Sequence, residues 1–178
     1  MRFSENRTIA RIVLALAIAV SLVFGGGGAL MDRRASLEEQ FSASSESISA
    51  ELQEMRSNAA VLVSIARKYD EADKKMIGAL DEAILALDGA ADASAKYQAS
   101  LALDSAVENL YSDLSGLELG DVDTQDIRYA YKNFTSAQLR ITHDSYNQLA
   151  AEFNRDLAKF PANVLGSLRG VTPLSPFQ

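Results

Sequence analysis

YNQLAAEFNRDLAKFPANVLGSLRGVTPLSPF, residues 146–177, is the stretch from which the fold is read. Tyr146, Leu149, Phe153, Leu157 and Phe160 recur three or four apart, so they line one face of a helix. Pro161 has no N–H to give that helix and pushes Phe160 toward extended backbone, so the helix ends there. A short turn of helix follows, then a tail punctuated by Pro173 and Pro176. Asn147 and Asn154 are seven apart and share a face, and Asn163 comes just after the Phe-Pro break. Asn amides bond free backbone groups where a chain leaves a helix. These three are therefore the expected anchors of the tail; a ligand or partner site is the other reading. Leu165, Leu168, Leu174 and Phe177 remain as an expected exposed apolar patch for a partner or a bilayer interface.

Upstream, the apolar pattern is helical throughout. Phe41, Ile48, Met55, Leu62 and Tyr69 repeat every seven, with Leu52, Ala59 and Ala66 between them, the seam of a helix over 34–69. Its first half is thin and Ser-rich (Ser42, Ser44, Ser45, Ser47, Ser49), so it should touch few neighbours. A second helix is predicted over 73–87 with Met76, Ile77, Leu80, Ile84 and Leu87 inward, closed by Gly89 just past its end. A third covers 94–114 with Tyr97, Leu103, Val107, Leu110 and Leu114 on one face. The fourth covers 124–159, carrying Ile127, Tyr131, Phe134 and Ile141 before the stripe from Tyr146; the step of five between them predicts a register shift. At ~1.5 Å per residue the first and fourth helices reach about 54 Å, the second and third about 22 and 32 Å. Short connections favour antiparallel neighbours. The short pair then lies on the distal halves of the long pair, and the tail returns beside the thin start of the first helix.

Before that bundle, Ile12 to Met31 contains no charge and a single Ser. Twenty residues at ~1.5 Å each reach roughly 30 Å, one bilayer core. Gly25 to Gly28 weaken a helix by roughly 1 kcal/mol each. Without them the strong core is Ile12 to Phe24, the length of a signal-peptide core, so a cleaved leader stands as the alternative to a retained anchor. Arg2, Arg7 and Arg11 precede the run and Arg33 and Arg34 follow it, which favours an extracytoplasmic bundle.

The C-terminal stretch resembles the signature of the LemA family at Tyr146-Asn147, Phe153-Asn154, Phe160-Pro161, Asn163, Gly166, Pro173 and Phe177. AVLVSIARKYDEADKKMI, residues 60–77, is similar to a second family region through Val61 to Ile65 and Tyr69, with Ala where the family has Pro. The resemblance implies an N-terminal membrane anchor on an antiparallel helical bundle, and it implies no activity. Tyr146, Asn147, Phe153, Asn154, Phe160, Pro161, Asn163, Gly166 and Phe177 form the expected tail-packing or partner-binding set.

Composition narrows the chemistry. The chain of 178 residues has no Cys, which excludes disulfides, zinc–thiolate sites and thiol catalysis. A net charge of −7 argues against nucleic acid and against the body lying on an anionic bilayer. His143, the one histidine, reads as a mid-helix surface residue. Asp121, Asp123 and Asp126 fail the calcium-loop pattern, because its Gly and Glu positions hold Asp126 and Lys132; Asp123 reads as a helix cap. Glu38-Glu39, Glu51/Glu54 and Asp81/Glu82 read as solvent-facing carboxylates, and Arg67-Lys68 with Lys74-Lys75 as a solvated basic cluster, with a contact point for an acidic partner as the other reading.

The expected architecture is all-α. An N-terminal transmembrane helix (residues 1–31) precedes an antiparallel four-helix up-and-down bundle with two long and two shorter helices and a C-terminal tail (residues 32–178). The expected role is a non-enzymatic interaction or scaffold protein of the cell envelope. Such a protein would cross the membrane once through residues 12–31, use no catalytic, metal or cofactor residues, and bind a protein partner or its own copies. The alternatives are a homo-oligomeric structural membrane protein and a metal-dependent hydrolase using acidic helix residues.

Overall fold

The computed structural model describes residues 3–42 and 47–178, and every regular element among them is a helix. In chain order these are α1 (Phe3–Ser42), α2 (Ile48–Ala66), α3 (Lys74–Gly89), α4 (Ala93–Ser115), α5 (Asp121–Thr142), α6 (Tyr146–Leu157) and α7 (Ala162–Arg169). The chain divides into two compact units: Met1–Glu39 with Gln148–Leu174, and Gln40–Asn147 with Ser175–Gln178.

In the first unit α1 runs without interruption through residue 31, where a boundary between anchor and bundle was expected, and through all four glycines. It carries a window long and apolar enough to cross a membrane by length and composition. Helix α7 lies against the glycine run. A Cβ on Gly26 would stand 2.9 Å from Leu165 Cδ1, and one on Gly27 would stand 2.6 Å from Arg169 Cγ. Two of the four glycines are therefore closely approached by the tail, which explains a sequence that helix propensity alone disfavours. Gly166 plays the same part inside the unit: it is buried, and its Cβ would meet Leu157 Cδ1 at 2.6 Å.

In the second unit α2 packs most extensively on α5, α3 on α4, and α2 also touches α3 and α4. The caps are written in the sequence. Ser47 Oγ accepts from the Ala50 amide (3.2 Å), Asp73 from Lys75 (2.7 Å) and Asp92 from Ala95 (2.8 Å). Phe41, Ile48, Leu52, Met55, Ala59, Leu62 and Ala66 are all buried, as the heptad pattern requires. So are Leu80, Ile84 and Leu87 on α3, and Leu103, Val107, Leu110 and Leu114 on α4. Tyr111 and Tyr131 stack face to face between α4 and α5, with centroids 4.0 Å apart and planes 3° from parallel.

Both long helices are corrected. The first expected helix comprises the end of α1 and then α2, which starts at its own cap; residues 43–46, including Ser44 and Ser45, lie outside the described residues. The fourth ends at Thr142 and restarts at Tyr146. The step of five that predicted a register shift is a break. Thr142 Oγ1 donates back to Leu139 O (2.7 Å), and Asp144 Oδ1 accepts from the Tyr146 amide (2.6 Å), so local side-chain bonds replace helical ones. His143 sits at this break as the last cap of α5, not mid-helix. Gly89 is the last residue of α3 rather than the residue beyond it.

Candidate functional site

The expected site residues converge on the tail, and they do so in two separate grips. The first unit holds Leu174. Asn154 Oδ1 accepts from the Leu174 amide (2.8 Å), and Asn154 Nδ2 donates to the Leu174 carbonyl (2.9 Å). Leu174 is buried beside this pair. Arg34 Nε donates to Thr172 O (3.1 Å), Arg33 pairs with Asp156 (3.2 Å), and the Arg33 guanidinium lies 5.9 Å from the ring centroid of fully buried Phe153. Lys159 and Arg33 together hold the Asp156 carboxyl below the usual carboxylate range.

The second unit holds Phe177 in the same manner. Asn147 Oδ1 accepts from the Phe177 amide (2.7 Å), and Asn147 Nδ2 donates to its carbonyl (2.7 Å). The Phe177 ring is buried against Phe41 (centroids 6.1 Å) and edge-on against Tyr97 (5.3 Å). Phe41 in turn packs on Tyr146 at 4.8 Å, and Tyr146 Oη donates to Ser175 O (2.8 Å). Each gripped residue follows a proline, Pro173 or Pro176. Proline fixes its own φ and has no donor, so the free amide and carbonyl of the next residue are the groups an Asn must satisfy. A primary amide does this as a strand neighbour would, offering one acceptor and one donor.

Not every member of the expected set takes part. Asn163 grips no tail residue; its Oδ1 is bonded to the Val164 amide (2.8 Å). Phe160, expected on the inward stripe, is 83% exposed, because α6 ends at Leu157 and the helical register does not reach it. Its bond to Pro161 is cis. The expected apolar patch is also redrawn. Leu174 and Phe177 are buried, whereas Val164, Leu168 and Phe160 are the exposed apolar residues of the segment. Helix α7 ends in a Schellman turn: Val171 N donates to Gly166 O (2.9 Å) and Gly170 N to Ser167 O (3.3 Å). Gly170 holds φ +69°, the left-handed conformation that glycine adopts without strain. A groove of about 440 Å³ lies beside the first grip, lined by Asn154, Leu157, Asn163, Ser167 and Thr172.

Two readings of charged residues are corrected: Glu51 is not solvent-facing, and Asp123 is not a helix cap. Glu51 is buried, and Arg140 Nε donates to its Oε1 (2.7 Å) while Arg140 Nη2 lies 2.7 Å from its Oε2. The second contact has ion-pair distance without hydrogen-bond alignment. Glu54 joins at 2.7 Å, and this pairing raises the Arg140 pKa. Asp123 does not cap α5, whose N-cap is Gly120. It accepts from Lys68 Nζ (2.6 Å) and from Tyr69 Oη (2.7 Å), and Tyr69 Oη accepts from the Gly120 amide (3.0 Å). Lys68 first and Tyr69 second hold the Asp123 carboxyl below its ordinary value. A carboxylate depressed by folding contributes stability above its unfolded pKa, about 4, and that stability is lost as the pH falls through the folded value. Asp123→Asn should therefore lower the unfolding temperature at pH 7, and the gap from wild type should close in acid titrations below about pH 4. A gap that is constant with pH would contradict this role.

Among the described residues no three of His, Cys, Asp and Glu stand close enough to share a metal ion. Set against family models, curated proteins and solved structures, the chain matches none.

Proposed function

We propose that this is a LemA-like, membrane-anchored protein whose helical body serves as a non-enzymatic interaction or scaffold module of the cell envelope. The observation that carries the reading is the outer surface of α1. Ile12, Val13, Leu14, Leu16, Ile18, Val20, Leu22 and Phe24 are all exposed, and successive positions point to every side of the helix. A helix apolar all round that finds no protein cover is suited to lipid. Retention of the segment rather than cleavage is favoured by the tail's hold on it: Arg169 Nε donates to Val23 O (3.3 Å), and its guanidinium lies 4.4 Å from the Phe24 ring centroid. In this proposal α2 to α5 form an antiparallel four-helix bundle outside the cytoplasm. The jobs found for Asn147, Asn154, Gly166 and Phe177 give physical content to four positions through which the chain resembles LemA.

The native absence of Cys makes the test direct. Ser4→Cys and Ser112→Cys variants are treated in intact cells with a membrane-impermeant maleimide. Ser112→Cys should label at once and Ser4→Cys only after lysis. The reverse pattern would place the bundle in the cytoplasm, and recovery of the full-length chain in the alkaline-carbonate supernatant would overturn the anchor.

A further inference from the structure

Helix α7 lies beside the segment that, among the described residues, is long and apolar enough to cross a bilayer. Leu165 and Arg169 face α1 at Gly26 and Gly27, near the end of the uncharged run from Ile12 to Met31. Away from α1, the exposed side of α7 divides into a polar edge, Asn163 and Ser167, and an apolar edge, Val164 and Leu168. Phe160 is 83%, Leu168 64% and Val164 49% exposed, and Val164 and Leu168 are four apart and share a face. The other side of α7 supplies Arg169, whose charge sits over Phe24 and is still partly accessible. An exposed apolar face with a cation at its edge is the pattern of a helix lying in the plane of a membrane interface.

We propose that the 160–169 segment is an interfacial wedge. Phe160, Val164 and Leu168 enter the boundary between headgroups and acyl chains, and Arg169 lies over Phe24 on the α1 side of the wedge. The occupant is lipid because α7 is seated on α1, whose own apolar residues from Ile12 to Phe24 are exposed and suited to a bilayer. Depth agrees: Gly26 and Gly27 lie four to five residues inside Met31, or ~6–8 Å along the helix, and interfacial helices sink about 5–10 Å. The wedge rests on the reading of α1 as a membrane span, so the two need separate tests.

Single cysteines in the otherwise Cys-free chain provide them. The full-length protein with Val164→Cys, Leu168→Cys or Leu16→Cys is labelled with an environment-sensitive fluorophore. It is then reconstituted into phosphatidylcholine–phosphatidylglycerol vesicles carrying spin labels at shallow or deep acyl positions. Labels at 164 and 168 should lose about half of their emission to shallow spin labels and much less to deep ones, with little quenching by iodide. The label at 16, four residues or ~6 Å inside Ile12 and so near the opposite membrane face, should also be quenched by lipid spin labels and shielded from iodide. Iodide quenching at 164 and 168 with lipid quenching intact at 16 overturns the wedge and leaves the anchor standing. Loss of lipid quenching at 16 overturns the anchor and the wedge together. A blue-shifted label at 164 or 168 that no spin-labelled lipid quenches, and that strengthens with protein-to-lipid ratio, assigns the face to a second copy and overturns the proposal.

Discussion

Deleting Ser175–Gln178 should destabilise the second unit by about 3–4 kcal/mol, an effect out of proportion to four residues at a chain end. Terminal residues are ordinarily dispensable unless something ties them down. Here the deletion removes the Phe177 ring from between Phe41 and Tyr97, and truncating a buried Phe typically costs about 3–5 kcal/mol. It also strips Asn147 of both partners on Phe177, each bond being worth about 1 kcal/mol net. Two single changes separate the terms: Phe177→Ala should reproduce most of the loss, and Asn147→Ala about 2 kcal/mol of it, through the unmet Phe177 amide and carbonyl. Thermal unfolding in mild detergent, followed by circular dichroism, reads all three. A truncated chain that melts with wild type would show that the grip on Phe177 contributes nothing.

The second large effect reverses sign within four consecutive residues. Gly26→Leu with Gly27→Leu should release α7 from α1, at a cost of about 3 kcal/mol, because two leucine side chains are forced where even a Cβ would make Leu165 and Arg169 shift. The Leu165 and Arg169 side chains can yield to a Cβ alone, but Leu165 O is already in ordinary contact at 3.5 Å from the Gly27 Cβ position, so the branches of a leucine beyond that Cβ meet backbone. Gly25→Ala and Gly28→Ala should do the reverse. Neither has a neighbour within 4 Å, so only helix propensity changes, stabilising by up to about 1 kcal/mol each. Limited proteolysis after Arg169 reports release of α7, and thermal unfolding reports the sum. If all four glycines behaved alike, α7 would not be seated on the run.

How far the sequence could be read depended on whether a residue's partner was set by periodicity or by a turn. The stripe from Phe41 to Ala66 was legible because burial at every third or fourth position leaves one regular mark. Asn147 and Asn154 were legible for the same reason: they sit on one helix face, ahead of a tail whose prolines announced free amides. The interruption at His143–Ser145 was read as continuous helix, although Asp144-Ser145 before an apolar run is itself a start signal. Phe160 was assigned inward by counting past Leu157, where the helix had already stopped. Asn163 satisfies its own helix start, a local choice that spacing cannot distinguish from a long-range one. Tyr69 with Asp123, and Glu51 with Arg140, pair across 54 and 89 residues and left no trace in either helix alone. The glycines at 26 and 27 looked like a weakness because the α7 residues that fill their groove lie some 140 positions away.

The stacked Tyr111–Tyr131 pair has a practical use. Every one of the six tyrosines lies between residues 40 and 147, the chain has no tryptophan, and the first unit therefore absorbs in the near ultraviolet through phenylalanine alone. Desolvation raises the Tyr131 pKa, so its phenol should also ionise later than an exposed one in an alkaline spectrophotometric titration. The second unit thus carries its own dye, and its melting can be timed separately from that of the unlabelled first unit.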